Sequence, residues 1–247
     1  MTDWLQAWWR AVQFAFAVLA AALSPSTYGP HTRVVALKQI YFSAWQALAG
    51  FTLFAAVFSL VAIEITVSAA RGFGLARYAL ELVFRVLVLE LLPLLTALLV
   101  ALRSGSAIST EVALMRVTGE LEKMPDPMQR EFVPRIAAAA MSVFCLTVLS
   151  GAVALGLAYL SLYGLSPWGF GEYTHTIALV FSPPALAGFV LKCMAFGAAV
   201  AVIPIAAGIH ATRDDMKSAP LAVMGGMVRL FFTLALIEVF ALAVKYV

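Results

Sequence analysis

The chain has 247 residues, of which 63% are hydrophobic and 12% charged, against roughly 25% charged in an ordinary globular domain. A soluble core of this length cannot absorb so much apolar surface, so the composition predicts an all-α membrane protein. The net charge of +3 is scattered, with no basic run, which argues against nucleic acid as a partner.

Residues 1–23 place Asp3, Gln6, Arg10 and Gln13 at intervals of three and four, one narrow polar stripe. Trp4, Leu5, Trp8, Trp9, Val12 and Phe16 cover the rest of that helix. The pattern predicts an N-terminal amphipathic helix lying in the membrane interface, its tryptophans at headgroup level. A signal peptide is the competing reading, because AVLAAALSPS resembles an apolar region with a cleavage site. Asp3 ahead of any positive charge, and the crowded tryptophans, argue against it.

A hydrocarbon core about 30 Å thick needs roughly 20 helical residues. Five runs meet that length: 44–70, 78–102, 136–163, 184–209 and 220–244. The stretch 164–183 is interrupted by Gly and Pro and rich in aromatics, which predicts an interfacial loop. With the N-terminus inside, ten Lys/Arg outside the spans fall on the cytoplasmic side and three (Arg71, Arg77, Lys245) on the far side. That asymmetry satisfies the positive-inside rule. No internal repeat or linker divides the chain, so one domain is expected.

Between the second and third spans lies a polar island, Leu102 to Arg135, with five of the sixteen Lys/Arg and five of the thirteen acids. Residues 108–123 mix Ile108, Val112 and Met115 with charges, the pattern of a helix docked on a soluble partner. A merely solvated loop is the plainer alternative. Pro125 and Pro127 are expected to end that helix. Cys145 and Cys193 sit in apolar runs and read as small hydrophobes. His31, His175 and His210 lack the spacing of metal ligands.

Ionisable residues at membrane depth are costly and mark function by default. Here they are Glu64, Glu81, Arg85, Glu90, Lys192, Arg229 and Glu238. Glu81 and Arg85, at i and i+4, read as an ion pair. Lys192 has a plain alternative in snorkelling to the interface. Glu90 has no basic residue at i±3 or i±4, and Pro93 removes the donor that the Leu89 carbonyl would use. The result is a kinked helix with a free carbonyl beside a deep carboxylate, which either lines a cavity or meets a partner on another helix.

Taken together, Glu90-Leu-Leu-Pro93, Arg103-Ser-Gly-Ser-Ala107 and Glu111-Val-Ala-Leu-Met-Arg-Val-Thr118 resemble the core motif of the MlaE/YrbE permease family. Lys38-Gln-Ile-Tyr41, Val133-Pro-Arg135 and Lys192 follow in the same order, so the resemblance covers roughly residues 34–247. It implies the membrane subunit of an ABC transporter that moves phospholipid or a related lipid with a periplasmic MCE protein. It further implies a homodimer in a bacterial inner membrane, with Glu64, Glu90 and Lys192 lining a lipid pocket between the two copies. The island would include the coupling helix, with Arg103, Glu111, Met115, Arg116 and Thr118 facing a cytoplasmic ATPase. No G-x-x-x-x-G-K-[ST] occurs here, so this chain needs no cofactor of its own, and ATP and Mg²⁺ would belong to the partner.

The chain departs from that pattern at three places. Leu92 and Leu89 stand where the family has Gly and Arg, and Arg85, one turn earlier, is the expected substitute for the missing cation. The stretch from Thr118 to Val133 is about one helical turn short. Ala219–Leu230 replaces a small, polar segment. Two other function classes compete. An intramembrane lipid-modifying enzyme would need a converged nucleophile and base, for which Glu172 beside His175 is the only hint. A non-transporting scaffold would tolerate loss of Glu90 and Lys192.

Overall fold

The computed structural model describes residues 46–75, 78–123, 126–127, 131–209 and 218–246. The expected interfacial helix at 1–23 lies outside them. Five helices are long and apolar enough to cross a membrane, and no strand occurs among the described residues. They are α1 (Gln46–Gly72), α2 (Ala79–Val117), α4 (Val133–Tyr163), α6 (Pro183–Ile209) and α7 (Ser218–Tyr246). Two short helices join them: α3 (Glu120–Lys123) and α5 (Phe170–Val180).

The packing order explains which helices face lipid. α6 is the hub, packed against α4, α7 and the inner end of α2, while α1 lies against α4. Its sequence permits this through small residues. A Cβ on Gly197 would run into Ala140 of α4, and one on Gly208 would come within 2.8 Å of the Ser109 carbonyl oxygen. Such close backbone approach replaces the hydrophobic drive that lipid cannot supply. α1 and α7 instead expose rows of large apolar side chains, including Leu53, Phe54, Val57, Val61 and Ile65 on α1 and Val228, Phe232, Val239 and Phe240 on α7. In water such rows would be untenable; in a bilayer they are the solvent-facing surface.

Three hydroxyls inside the spans are satisfied within their own helix. Thr96 donates to the Leu92 carbonyl at 2.7 Å, Thr147 to Val143 at 2.7 Å and Ser142 to Ala138 at 2.8 Å. This i−4 back-bonding lets a polar residue sit in an apolar helix without an orphaned group.

Three expectations are corrected by the fold. First, α2 does not stop at 102: it continues through the island as one helix to Val117. Ser104 and Gly105 do not break it because they are buried, with a Gly105 Cβ direction leading to Met227 and Pro204, each 3.4 Å away. The backbone widens into π turns over Ala101–Gly105. Second, the helix ends at Thr118 and Gly119, whose φ of 71° stops it before the prolines are reached. Third, the stretch 164–183 is not a loop. After a turn at Pro167–Gly169 it forms α5, anchored by Tyr173, whose hydroxyl donates to the Leu155 carbonyl at 2.7 Å. Tyr173 also packs edge-on against Phe84 and Tyr159, at 5.7 and 5.0 Å between centroids. Burial pushes its phenol up to about 12, so it remains a hydrogen-bond donor at neutral pH.

Candidate functional site

The deep charges converge at one place. In α2 the backbone widens into π turns over Val83–Leu91, where the Leu92 N–H reaches back to the Leu87 carbonyl, and Pro93 follows in the next turn. Pro93 has no N–H to give Leu89. Lys192 of α6 fills that gap, donating to the Leu89 carbonyl oxygen at 3.4 Å and to Glu90 Oε2 through the same ammonium. Glu238 of α7 closes on Lys192 from the other side at 2.7 Å. Lys245, two turns further along α7, donates to Glu90 Oε1 at 2.7 Å. Four charges from three helices thus form one chain: Lys245, Glu90, Lys192, Glu238.

Burial grades along this chain. The Lys192 side chain is 5% exposed, Glu90 and Glu238 are each 13% exposed, and Lys245 is 25% exposed. Lys192 therefore does not snorkel; it is held between two carboxylates and over the Phe196 ring, 5.8 Å from its centroid. Glu90 has both properties that the sequence left as alternatives. It is ion-paired across helices, and it lines a cavity of about 820 Å³.

That cavity lies between α2, α6 and α7 of a single chain, and it is distinct from the pocket between two copies that the resemblance implies. Its wall is apolar, with Leu89, Phe189, Ile237, Phe240 and Val244 on it, and Arg85, Glu90, Lys192 and Lys245 supply the charge. A volume of this size and an apolar lining with a few convergent polar groups is what a small-molecule or lipid site needs.

Two of the sequence-predicted residues lie apart from the Glu90 cluster in the single chain. Arg85 does not supply the cation beside Glu90, because it is committed to Glu81 at 2.9 Å; Lys192 and Lys245 do so instead. Glu64 is not in this cavity. It sits on α1, accepting a hydrogen bond from Ser161 of α4 at 2.8 Å, and α1 contributes nothing to the lining. Lys245, counted among the flanking charges, turns inward. Its signal was its spacing from Glu238: seven residues apart on one helix puts both on the same face.

The island residues form a second locus, the inner segment Ser106–Val117 of α2. Ile108 and Val112 pack with Phe132, Ile136, Val202 and Ile205, with Met115 against them, in a small core separate from that of the outer bundle. Glu111 is bound within the chain. Arg135, buried at the start of α4, donates Nη1 to Glu111 Oε2 and Nη2 to Glu111 Oε1, both at 2.9 Å, and also bonds Glu131. Such a fork fixes both position and angle. Arg103 is exposed, Arg116 has a buried Nε without a hydrogen-bond partner among the described residues, and Thr118 caps the segment with its hydroxyl 3.3 Å from the Met115 carbonyl. Glu172 of α5 meets the Tyr163 hydroxyl. No group of three or more His, Cys, Asp or Glu converges as a metal site among the described residues.

Comparison with known proteins shows the family. The family model described as Permease MlaE matches residues 36–244. The chain is 33% identical over 163 residues to the intermembrane phospholipid transport system permease protein MlaE of Haemophilus influenzae, covering 59% of this chain and 61% of that one. It is 26% identical over 217 residues to a probable ABC transporter permease protein of Rickettsia felis, covering 80% of this chain and 76% of the other. A probable ABC transporter permease protein of Synechocystis is 30% identical over 154 residues, 57% of its length.

Proposed function

This chain belongs to the MlaE permease family, and from that premise we propose that it is the membrane subunit of an ABC transporter moving phospholipid between the inner membrane and a periplasmic MCE protein. The observation that carries the reading is the cavity at Glu90 and Lys192. Its long apolar wall suits acyl chains, and its charged end suits a polar head group. A soluble substrate would gain nothing from such a wall, whereas a lipid needs both environments at once.

The inner segment of α2 supplies the other half of the mechanism. Because Ser106–Val117 continues the same helix that carries Glu90, a push on that segment would reach the pocket along one continuous helix. A cytoplasmic ATPase would apply it, with ATP and Mg²⁺ held in that partner. Arg103, Met115, Arg116 and Thr118 are the residues we assign to the contact, and Glu111 sets the angle of the segment through Arg135. Two copies of the chain would assemble with the exposed faces of α1 or α7 in lipid or against each other. The N-terminus would be cytoplasmic and α5 periplasmic.

A photo-crosslinking side chain in place of Ile237 tests the pocket. In native membranes it should capture phospholipid, and a second change, Ala241→Trp, should abolish the adduct by filling the cavity. Equal capture with and without the tryptophan would mean that the lipid lies on the outer surface, and the reading would fall.

A further inference from the structure

The chain leaves α4 at Tyr163 and enters α6 at Pro183, so the segment between them is tethered at both ends to membrane-spanning helices. Its first turn is fixed against α4. Gly164, at a φ of 63°, turns the backbone off the helix. The Tyr159 hydroxyl donates to the Ser166 carbonyl oxygen at 2.5 Å, and a Cβ on Gly169 would lie 2.2 Å from the Tyr163 ring. Tyr159 also packs edge-on against Phe170, 6.2 Å between centroids. On this base Leu165 and Trp168 stand 91% and 94% exposed, with Phe170 beside them 59% exposed. No charged residue occurs from Gly164 to Gly171.

We infer that this turn and α5 form a membrane-inserting edge. Leu165, Trp168 and Phe170 enter the head-group layer on the side where α4 ends, and α5 lies along the bilayer surface with Glu172 and His175 in water. Aromatic composition alone implies an interfacial position; the structure assigns which side chains go in and which stay out. Tyr173 and Val180 form the buried face of α5. At 3.6 residues per turn, Phe170, Thr174 and Ala178 fall on one flank of that face and Glu172, Thr176 and Leu179 on the other, while His175 points away from it. The first flank carries no charge, and its one hydroxyl already bonds the Phe170 and Gly171 carbonyl oxygens, at 2.9 and 3.0 Å. It can leave water without stranding a polar group. The indole N–H of Trp168 suits a layer that is apolar on one side and wet on the other. Two tethers on one side of the membrane hold the edge at the bilayer surface, and its apolar surface is flanked by Leu160 of α4 and Leu186 of α6, both exposed. The edge also bears on the cavity. Tyr173 packs on Phe84, next to Arg85, and Pro184, on the cavity lining, follows α5 within about one turn. The depth of the edge therefore fixes the depth of that end of the cavity. The inference needs only the membrane spans and stands apart from the lipid pocket proposed above.

The test uses the full-length chain in nanodiscs of phosphatidylethanolamine and phosphatidylglycerol, with Cys145 and Cys193 replaced by alanine. A nitroxide is attached in turn at Leu165→Cys, Trp168→Cys and His175→Cys, all three positions being exposed in the folded chain. Power-saturation spin resonance compares relaxation by oxygen, which concentrates in the bilayer, with relaxation by a water-soluble nickel chelate. The ratio of oxygen to nickel response should be several-fold higher at 165 and 168 than at 175. Adding Trp168→Glu, a change at a side chain that is almost fully exposed, should raise the nickel response of the label at 165 several-fold. Equal ratios at all three positions, or a label at 165 unmoved by Trp168→Glu, would overturn the inference. Protection of 165 and 168 from both relaxants would also overturn it, because a second copy or a soluble partner would then cover the edge in place of lipid.

Discussion

Lys192 Nζ lies 3.4 Å from the Leu89 carbonyl oxygen, one turn before Pro93, which has no N–H to donate. A proline in the middle of a helix would ordinarily cost about 3 kcal/mol, and here it sits beside the charged end of the cavity. The π turns over Val83–Leu91 and the lysine of a neighbouring helix together satisfy the backbone that Pro93 disrupts.

It follows that Lys192 is the residue the cluster can least spare. Lys192→Met removes the common partner of Glu90 and Glu238 and leaves two carboxylates facing each other at low exposure. Breaking a buried pair by removing one member typically costs about 3–5 kcal/mol. The variant should show a clearly lowered thermal midpoint in detergent, and adding Glu238→Gln should recover part of the loss. A midpoint equal to wild type would show that Lys192 is not a buried counter-ion.

The spans were legible because an apolar run of bilayer length can hardly be anything but a membrane helix, and the Glu81–Arg85 pair because its spacing is local. The cluster at Glu90 was only half legible. Lys192 and Glu90 are 102 residues apart and Lys245 and Glu90 155 apart, and no periodicity encodes which helices will be neighbours. Burial was equally hidden: nothing in the sequence shows that Gly105 will be packed against Pro204 and Met227. Arg135 read as a flanking charge, because a Val-Pro-Arg stretch does not show that its arginine will be enclosed between Glu111 and Glu131.

The Arg135–Glu111 fork should behave as a coupled unit. Glu111→Gln and Arg135→Met each loosen the inner segment of α2, so the double variant should be less destabilised than the sum of the two. A double-mutant cycle on thermal or denaturant unfolding should give a coupling of about 1–3 kcal/mol. Strict additivity would dismiss the fork as an anchor. Glu111→Lys, which sets a second cation against buried Arg135, should impair both ATPase association and folding yield rather than association alone.

Gly208 separates anchoring from pocket chemistry. A side chain there meets the Ser109 carbonyl oxygen and Val112 within 2.8 Å, so Gly208→Val must push the inner segment away from α6. Overpacking of this kind typically costs about 1–3 kcal/mol. Lipid retention at Glu90 should persist while ATP-driven transport is lost. Normal transport in this variant would show that the α2–α6 contact does not carry the coupling.

Orientation can be read with single cysteines at Ser166 and Ser218, introduced after Cys145 and Cys193 are replaced by alanine. An impermeant thiol reagent added from the periplasmic side should label Ser166→Cys and spare Ser218→Cys. The reverse pattern would invert the topology and with it the assignment of the inner segment to an ATPase.

Glu90→Gln should separate function from stability. Gln keeps the shape of the side chain and some hydrogen bonding, while Lys192 retains Glu238 at 2.7 Å and the Leu89 carbonyl. The cation that loses a contact is Lys245, which is exposed enough to reach water. Stability should therefore fall by no more than about 1–2 kcal/mol, the range of one charged hydrogen bond partly replaced. Transport should fall much further, because a polar head group loses its anionic contact at the charged end of the cavity. The two quantities are measured together, the thermal midpoint of the purified chain and ATP-dependent lipid transfer in proteoliposomes with its partner subunits. Wild-type transfer by Glu90→Gln would remove Glu90 from the pocket, and a stability loss as large as that of Lys192→Met would make it a structural strut.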